Sequence, residues 1–249
     1  MLKDLLCIVE GGDKPSPALF QSLAMVRAYK VSPLFVAAVP GPPPLSTIFG
    51  ADLVEALITK ANSEAAKTAQ LVSAQIIELS RRQGCDPKVI EECRPLARVL
   101  KELEEHARNY DLTVLARPDW PMDVSSAIFE RILFGSGQPV LLANSRDTYT
   151  EHFKTAVLAW DGSNWASRAL ASAISLFPDL KEIFILTVVG EKNLGDLVPG
   201  AGIAAHIRRH GIKSTVSCVD LQAGEDNAGP AIAKYAGDVN ADLVVMGAY

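Results

Sequence analysis

Strand-sized apolar runs alternate with amphipathic helical segments along this chain, and the alternation occurs twice. Residues 6–12 align with residues 157–163, and residues 109–115 align with residues 240–246. Strands that are apolar on both faces and separated by helices form parallel sheets that helices cover on both sides. The repeat therefore predicts an α/β fold in two similar domains.

The two halves of the repeat differ in length. The first half contains additional residues, a Pro-rich turn at 40–44 and a long helix predicted over 51–82. A polar, turn-rich stretch at 144–152 separates the halves and is typical of a linker. We place the two domains at residues 1–147 and 148–249, and we expect a five-stranded parallel sheet flanked by helices in each.

The charge balance and the length of the apolar runs exclude two classes of partner. The chain carries 24 Lys and Arg against 29 Asp and Glu, a formal net charge of −5. Binding nucleic acid or an anionic membrane as a main function requires a positive surface field. The apolar runs are strand-sized and far shorter than the roughly 20 residues of a membrane-spanning helix. We expect neither a nucleic-acid nor a membrane partner.

The N-terminus and the cysteines favour a reduced, cytoplasmic protein. Asp4 lies where a secretory signal would be apolar, and no small-residue cleavage site follows. The four cysteines form no Cys-x-x-Cys pair. Cys7 and Cys218 lie in strand-like apolar patterns, so we expect both to be buried, reduced thiols.

The second half carries a recognisable set of motifs. A strand ends in Ala-Trp-Asp-Gly-Ser at 159–163, a helix with Arg-Ala-Leu at 168–170 follows, and a second strand covers 185–189. The last segment, at 241–249, reads Ala-Asp-Leu-Val-Val-Met-Gly-Ala-Tyr. These segments resemble the universal stress protein family, and the order of elements extends the resemblance to both halves. The resemblance implies two tandem Rossmann-like domains of the adenine nucleotide alpha hydrolase-like type, in a bacterial stress-response or regulatory protein.

The resemblance also implies a nucleotide site. Nucleotide-binding members of the family carry Gly-x2-Gly-x9-Gly-[Ser/Thr] after the fourth strand, where glycines let backbone N–H groups approach phosphates at a helix N-terminus. Asp161 matches the acidic position that contacts ribose or a metal, and Gly247 matches the first glycine. The other glycines would follow Tyr249, so we expect the second domain to be truncated after its fourth strand. The implied ligands are ATP and, with it, Mg²⁺; the candidate cofactor-binding residues are Ala159, Trp160, Asp161, Val188, Met246 and Gly247.

Trp160 departs from the small residue that the family usually has beside the acid. Its side chain has three open interpretations: a core residue at a strand end, a group that fills the base pocket, or a stacking partner for the base. A nucleotide-independent interaction module, with the domains pairing within the chain or in a homodimer, is therefore the alternative hypothesis. We expect no catalytic residue, because an ATP-cleaving enzyme needs a general base and several metal-binding acids and only Asp161 is visible.

The first half lacks the glycine loop. Glu10 follows its first strand, but Ala-Arg-Pro-Asp-Trp-Pro at 116–121 takes the place of the loop. Proline has no N–H to donate, and alanine and arginine disfavour the dihedrals that glycine allows. We expect this domain not to bind ATP in the family's manner, and Arg117 is a weaker candidate for contact with an anion.

Two further segments of the first half are interpreted structurally. A helix is predicted over 126–134, with Ser125 or Ser126 as its N-cap. Gly-Ser-Gly at 135–137 is typical of the turn after a helix and not of a phosphate loop.

Two other patterns in the second half, a histidine pair and a glycine pair, are also interpreted as structural. His206 and His210 are four residues apart on a predicted helix, yet no third metal ligand accompanies them, so we expect a solvated helix end and no metal. Gly224 and Gly229 lack the Lys-Ser/Thr of a phosphate-binding loop, and Pro230 is typical of the first turn of a helix.

Overall fold

The computed structural model describes residues 1–12, 14–42, 51–118, 123–144, 149–190, 200–221 and 227–248, with only the backbone of 51–54. The chain divides into two compact units, Leu2–Glu151 and His152–Tyr249, and Met1 is grouped with the second. Within the ranges above, no helix combines the length and the apolar character that a membrane span requires.

The first unit is a parallel sheet covered by helices. Its strand order is β3-β2-β1-β4-β5, and all neighbouring strands are parallel. Its elements are β1 (Asp4–Glu10), α1 (Pro17–Tyr29), β2 (Ser32–Ala38), α2 (Ala51–Arg82), β3 (Lys88–Glu92), α3 (Leu96–Ala107), β4 (Thr113–Ala116), α4 (Val124–Gly135) and β5 (Val140–Ala143).

Strand β1 is the centre of this sheet because it is apolar on both faces. All residues from Leu5 to Val9 are buried. Helix α1 follows, and its start is fixed by Ser16, whose hydroxyl accepts a hydrogen bond from the Ala18 N–H, and by Pro17 in the first turn. The helix ends at Lys30, whose φ of 53° is left-handed.

Helices α3 and α4 cover one face of the first sheet. Alternate residues of β1 and β2 point to this face and pack against apolar residues of both helices. The buried cluster consists of Leu6, Ile8, Leu34, Val36, Ala38, Val99, Leu103, Ala107, Leu115, Ile128 and Ile132.

Helix α2 matches the predicted range of 51–82 and is much longer than the strands that it contacts. Its 32 residues span about 48 Å, whereas the seven residues of β2 span about 23 Å. Buried positions recur along α2 only from Ala65 onward, at Ala69, Val72 and Ile76. The helix therefore packs on the sheet with its C-terminal half, and residues 55–64 remain largely exposed.

The second unit repeats the architecture with fewer strands. Its strand order is β8-β7-β6-β9, again entirely parallel. Its elements are β6 (Thr155–Ala159), α5 (Asn164–Leu176), β7 (Glu182–Val189), α6 (Ala201–Arg209), β8 (Lys213–Asp220), α7 (Gly229–Asp238) and β9 (Leu243–Val245).

The prediction of a five-stranded sheet in each domain is confirmed for the first unit only. The second unit has four strands within the described residues. Leu115 in β4 is buried beneath α4, whereas Met246, its counterpart in the repeat, is 56% exposed.

The prediction that both strand cysteines are buried is half wrong. Cys7 lies in the central strand β1 and is fully buried, and burial raises the pKa of its thiol to about 12. Cys218 is exposed because β8 is an edge strand of its sheet. Among the described residues all four cysteines are free thiols.

Candidate functional site

The strand order of the second unit creates a crevice between β6 and β9. From β6 the chain continues to β7 and β8 on one side, then crosses to β9 on the other. Strand β7 therefore lies on one side of β6 and β9 on the other, so the strand order reverses at β6. In open α/β sheets, ligands bind at the carboxyl edge at such a switch point.

Asp161 lies at this switch point, in the turn between β6 and α5. The Trp160 N–H donates to the Leu186 carbonyl at 2.8 Å and extends the β6–β7 ladder by one residue. Gly162 then takes a φ of 78°, and the Ser163 N–H donates to Asp161 Oδ1 at 3.0 Å. This turn holds the carboxylate beside the N-terminus of α5, whose partial positive charge favours an acid there.

Ser163 caps α5 and fixes the other side of the same turn. Its hydroxyl accepts from the Ala166 N–H at 3.1 Å. Ser163 belongs to the Ala-Trp-Asp-Gly-Ser motif on which the family resemblance rests, but its role as the N-cap was not predicted. The cap residue type and the following helical spacing were sufficient signals for it.

Gly247 is packed directly against the first turn of α5. A Cβ added at this position would lie 2.7 Å from the Ala166 backbone nitrogen and 2.8 Å from the carbonyl carbon and Cβ of Trp165. Only glycine fits this approach without displacement of the backbone. The structure thus brings Asp161 and Gly247, two of the predicted site residues, to the same helix terminus.

The four other predicted residues lie at the same edge in different environments. Ala159 and Val188 are half-buried and pack against the cluster formed by Val157, Leu186 and Ile232, so their side chains contribute to the core. Their backbone remains at the carboxyl ends of β6 and β7.

Met246 and Trp160 border the crevice differently. Met246 directly follows β9 and is 56% exposed. Trp160 is half-buried, and its backbone belongs to the β6–β7 ladder. Its three sequence-based interpretations therefore all stay open.

Trp165 and Arg168 also lie on the first turns of α5, and neither was predicted as a site residue. Trp165 is 46% exposed, and the Arg168 guanidinium carbon lies 5.9 Å from the centroid of its ring. This cation–π pair places an aromatic face and a positive charge beside Gly247. Arg168 belongs to the Arg-Ala-Leu segment of the resemblance, which implied no ligand contact for it, and no motif marks Trp165, because its position at the edge depends on where α5 begins.

The corresponding edge of the first unit is occupied by the unit's own side chains. The Ser125 hydroxyl donates to Glu10 Oε2 at 2.5 Å. Burial raises the pKa of the Glu10 carboxyl, the Ser125 hydrogen bond partly offsets this, and the nearby Asp123 raises it further. An acid that is desolvated and already hydrogen-bonded is a poor partner for a ribose or a metal.

The N-cap prediction for α4 is wrong in a way that bears on phosphate binding. The cap is Asp123, whose Oδ1 accepts from the Ser126 N–H at 2.8 Å, and not Ser125 or Ser126. Its carboxylate occupies the place where a helix N-terminus would attract an anion. The first unit thus combines two carboxylates, Glu10 and Asp123, at its switch point.

Other predicted features of the first unit have mixed outcomes. A Cβ at Gly11 would meet the Thr68 methyl at 3.1 Å, so α2 also packs over the end of β1.

Helix α4 ends at Gly135 and Gly137 has a φ of 75°, which confirms the predicted turn. Residues 119–122 of the replaced glycine loop lie outside the described residues. The Arg117 N–H donates to the Ala143 carbonyl, and nothing places its side chain at an anion site.

The remaining metal and loop candidates contribute no site. The rings of His206 and His210 lie 4.8 Å apart at the end of α6. Within the described ranges, no group of three or more His, Cys, Asp or Glu side chains has a geometry suited to a metal ion. Gly229 begins α7, with Pro230 in its first turn as predicted, and Gly224 lies outside the described residues.

Comparison with solved structures finds the same fold in known proteins. The chain matches a universal stress protein from Archaeoglobus fulgidus with a TM-score of 0.62 at 19% identity, over 97% of this chain and 86% of that one. The fold is that of the universal stress proteins. A proposed universal stress protein from Pseudomonas aeruginosa matches with a TM-score of 0.59 at 11% identity, over 98% and 82% of the two chains. A functionally unknown protein from Pseudomonas aeruginosa matches with a TM-score of 0.56 at 12% identity, over 98% and 81%.

Comparison by sequence gives a different result. Neither a protein-family model nor a curated protein matches the chain. The likeness to universal stress proteins, at identities of 11–19%, is thus a likeness of fold. The predicted α/β architecture with parallel sheets is confirmed.

Proposed function

We propose that this chain is a bacterial, cytoplasmic universal stress protein with two domains in tandem, and that its second domain binds an adenine nucleotide. Its role is regulatory binding and not catalysis. The observation that carries the proposal is the convergence of Asp161, the N-terminus of α5 and Gly247 at the β6–β9 switch point. The fold of its structural neighbours supports the same assignment.

Each feature of the switch point fits a different part of a nucleotide. The Asp161 carboxylate is placed to accept hydrogen bonds from ribose hydroxyls or to hold a Mg²⁺ ion together with phosphate oxygens. The positive end of α5 favours the negative charge of the phosphates. Gly247 brings a backbone without a side chain to the edge, and the exposed Met246 offers an apolar surface to the base.

We propose that the chain binds one nucleotide and not two. In the first unit Asp123 caps α4 and Glu10 is hydrogen-bonded to Ser125. Asp123 would repel phosphate at the N-terminus of α4, and Glu10, the counterpart of Asp161 in the repeat, is desolvated and already hydrogen-bonded. The expected stoichiometry is therefore one nucleotide per chain.

Calorimetric titration of the full chain with Mg·ATP tests this proposal. Asp161→Ala removes the acceptor and should weaken binding by about tenfold or more, because a hydrogen bond to a charged group contributes about 1.5–3 kcal/mol. Asp238→Asn, which neutralises an exposed acid at the end of α7, is the matched control and should leave the affinity unchanged. No binding by the unmodified chain would refute the nucleotide role, and binding that is insensitive to Asp161→Ala would refute the site.

The second candidate function is a nucleotide-independent interaction module. The observation that favours it is the packing of Ala159 and Val188, whose side chains belong to the core cluster and not to an open pocket. In that case the first-unit carboxylates and the half-buried Trp160 have structural roles only. The same titration distinguishes the two functions, because a nucleotide-independent interaction module should show no heat of binding with any adenine nucleotide.

A further inference from the structure

We propose that strand β8 is a self-association surface, on which a second copy of this chain pairs through its own β8 in antiparallel orientation. Strand β8 lies at the end of the second sheet, and among the described strands only β7 pairs with it. An unpaired strand edge presents backbone N–H and C=O groups to any strand that can reach them.

The hydrogen bonds of β8 identify the residues that face outward. The Lys213 N–H donates to the Lys181 carbonyl and the Leu221 N–H donates to the Val189 carbonyl, each at 2.9 Å. Odd-numbered residues of β8 therefore direct their backbone groups toward β7. Residues 214, 216, 218 and 220 direct theirs away from the sheet, because successive residues of a strand alternate.

The two edge strands at equivalent places in the two sheets are built differently. Strand β3 has five residues, of which Lys88, Glu91 and Glu92 are charged. Short length and charge are the usual protections against edge-to-edge pairing. Strand β8 has eight residues, Lys-Ser-Thr-Val-Ser-Cys-Val-Asp, and its six central residues carry no charge. Val216 is 42% exposed and Cys218 is exposed as well.

The charges at the ends of β8 favour a second copy in antiparallel orientation. Backbone hydrogen bonds place Lys154, Lys181 and Lys213 side by side at the amino edge of the sheet. Lys213 begins β8 and Asp220 ends it. An antiparallel pair brings the basic end of each strand beside the acidic end of the other, twice in a two-fold dimer. A parallel pair would bring like charges together.

The backbone geometry restricts the register to two choices. Residues that lie opposite each other in an antiparallel pair must both point toward the partner or both point away. The two-fold axis therefore passes through a residue, and the two registers that pair the eight-residue strands most fully place it at residue 216 or residue 217. In the first register Val216 lies opposite the same residue of the second copy, and in the other it lies opposite Cys218 of the second copy.

The mass in solution tests the association. Sedimentation velocity of the full chain should show a species of twice the 26.7 kDa chain mass. Val216→Pro should convert it to the monomer without loss of folded structure, because the N–H that proline removes points away from β7. Val216→Lys is a second variant, which places a charge in the middle of the uncharged strand edge and should also yield the monomer. A chain that is monomeric up to about 100 μM, or a dimer that both variants leave intact, overturns the proposal.

Disulfide trapping tests the orientation. The experiment uses a background in which Cys85 and Cys93 are replaced by serine. Val216→Cys should then give a covalent dimer on oxidation in either register, because residue 216 or Cys218 of the second copy lies opposite at about 5.5 Å between Cα atoms, within disulfide range. Thr215→Cys is the matched control, since its side chain points to the other face and meets no cysteine. Equal trapping of both variants, or trapping of neither, refutes antiparallel pairing.

Discussion

Replacing Gly247 by alanine is expected to destabilise the second unit by about 1–3 kcal/mol, the usual cost of overpacking a close contact. The new Cβ would lie 2.7–2.8 Å from backbone atoms of α5, whereas ordinary contacts begin at 3.4 Å. The segment after β9 must therefore move by about 0.6–0.7 Å, which strains a contact between two backbones. A flexible side chain is not available to relieve it.

The control for this substitution is Gly237→Ala in α7. A Cβ added at Gly237 meets nothing within 4 Å. Alanine is better than glycine in a helix by about 0.5–1 kcal/mol, so this variant should be slightly more stable than the original chain. The two Gly→Ala substitutions in one unit are thus expected to have opposite signs.

Thermal unfolding followed by tryptophan fluorescence measures both effects. In a Trp120→Phe background the signal comes from Trp160 and Trp165, both in the second unit. For a domain of about 100 residues each kcal/mol changes Tm by about 4–8 °C. A Gly247→Ala variant with unchanged or higher Tm would refute the close approach of Gly247 to α5. Gly247 would then need another explanation, such as direct contact with a ligand.

Three further predictions concern the first unit and the cysteines. Glu10→Gln should change the pH dependence of stability. Because the pKa of Glu10 is raised in the folded chain, the original chain loses stability as pH rises from the ordinary carboxyl range through the folded pKa. The urea midpoint of the variant relative to that of the original should therefore rise over this window, and parallel profiles of the two midpoints against pH would contradict the desolvation of this acid. Leu103→Ala in the core should cost about 2–5 kcal/mol in urea unfolding, whereas Leu71→Ala, at a residue that is 72% exposed, should cost far less. A thiol reagent should label Cys218 rapidly in the folded chain and Cys7 only on unfolding, because burial raises the pKa of Cys7 to about 12.

The secondary structure could be predicted from the sequence where local signals agree. Helix α2 spans the predicted residues because apolar positions recur at helical spacing, no Gly or Pro interrupts it, and Gly84 follows with a φ of 75°. The cap of α4 shows the limit of such signals. Asp123, Ser125 and Ser126 are all good N-cap types, and only the observed geometry selects Asp123.

The features that were predicted wrongly or not at all depend on which strands and helices become neighbours in the fold. Cys218 lies in a pattern typical of a buried strand, yet β8 is an edge strand, and strand order is not encoded in periodicity. Asp161 could be predicted as a site residue because its motif is local. The contact between Gly247 and α5 joins segments about 80 residues apart, so spacing indicated the glycine but not the backbone that requires it.

The two units share one fold but place different charges at the carboxyl edges of their sheets. Each sheet has its switch point beside a helix N-terminus, which attracts negative charge. In the first unit Asp123 supplies that charge from within the chain, and the half-buried Glu10 adds a second carboxyl. In the second unit Asp161 lies beside the N-terminus of α5, whereas residues 243–248 contain no acid and Gly247 leaves the edge without a side chain. Since a phosphate would compete with the Asp123 carboxylate for the N-terminus of α4, Asp123 would exclude from the first unit the ligand that we propose for the second.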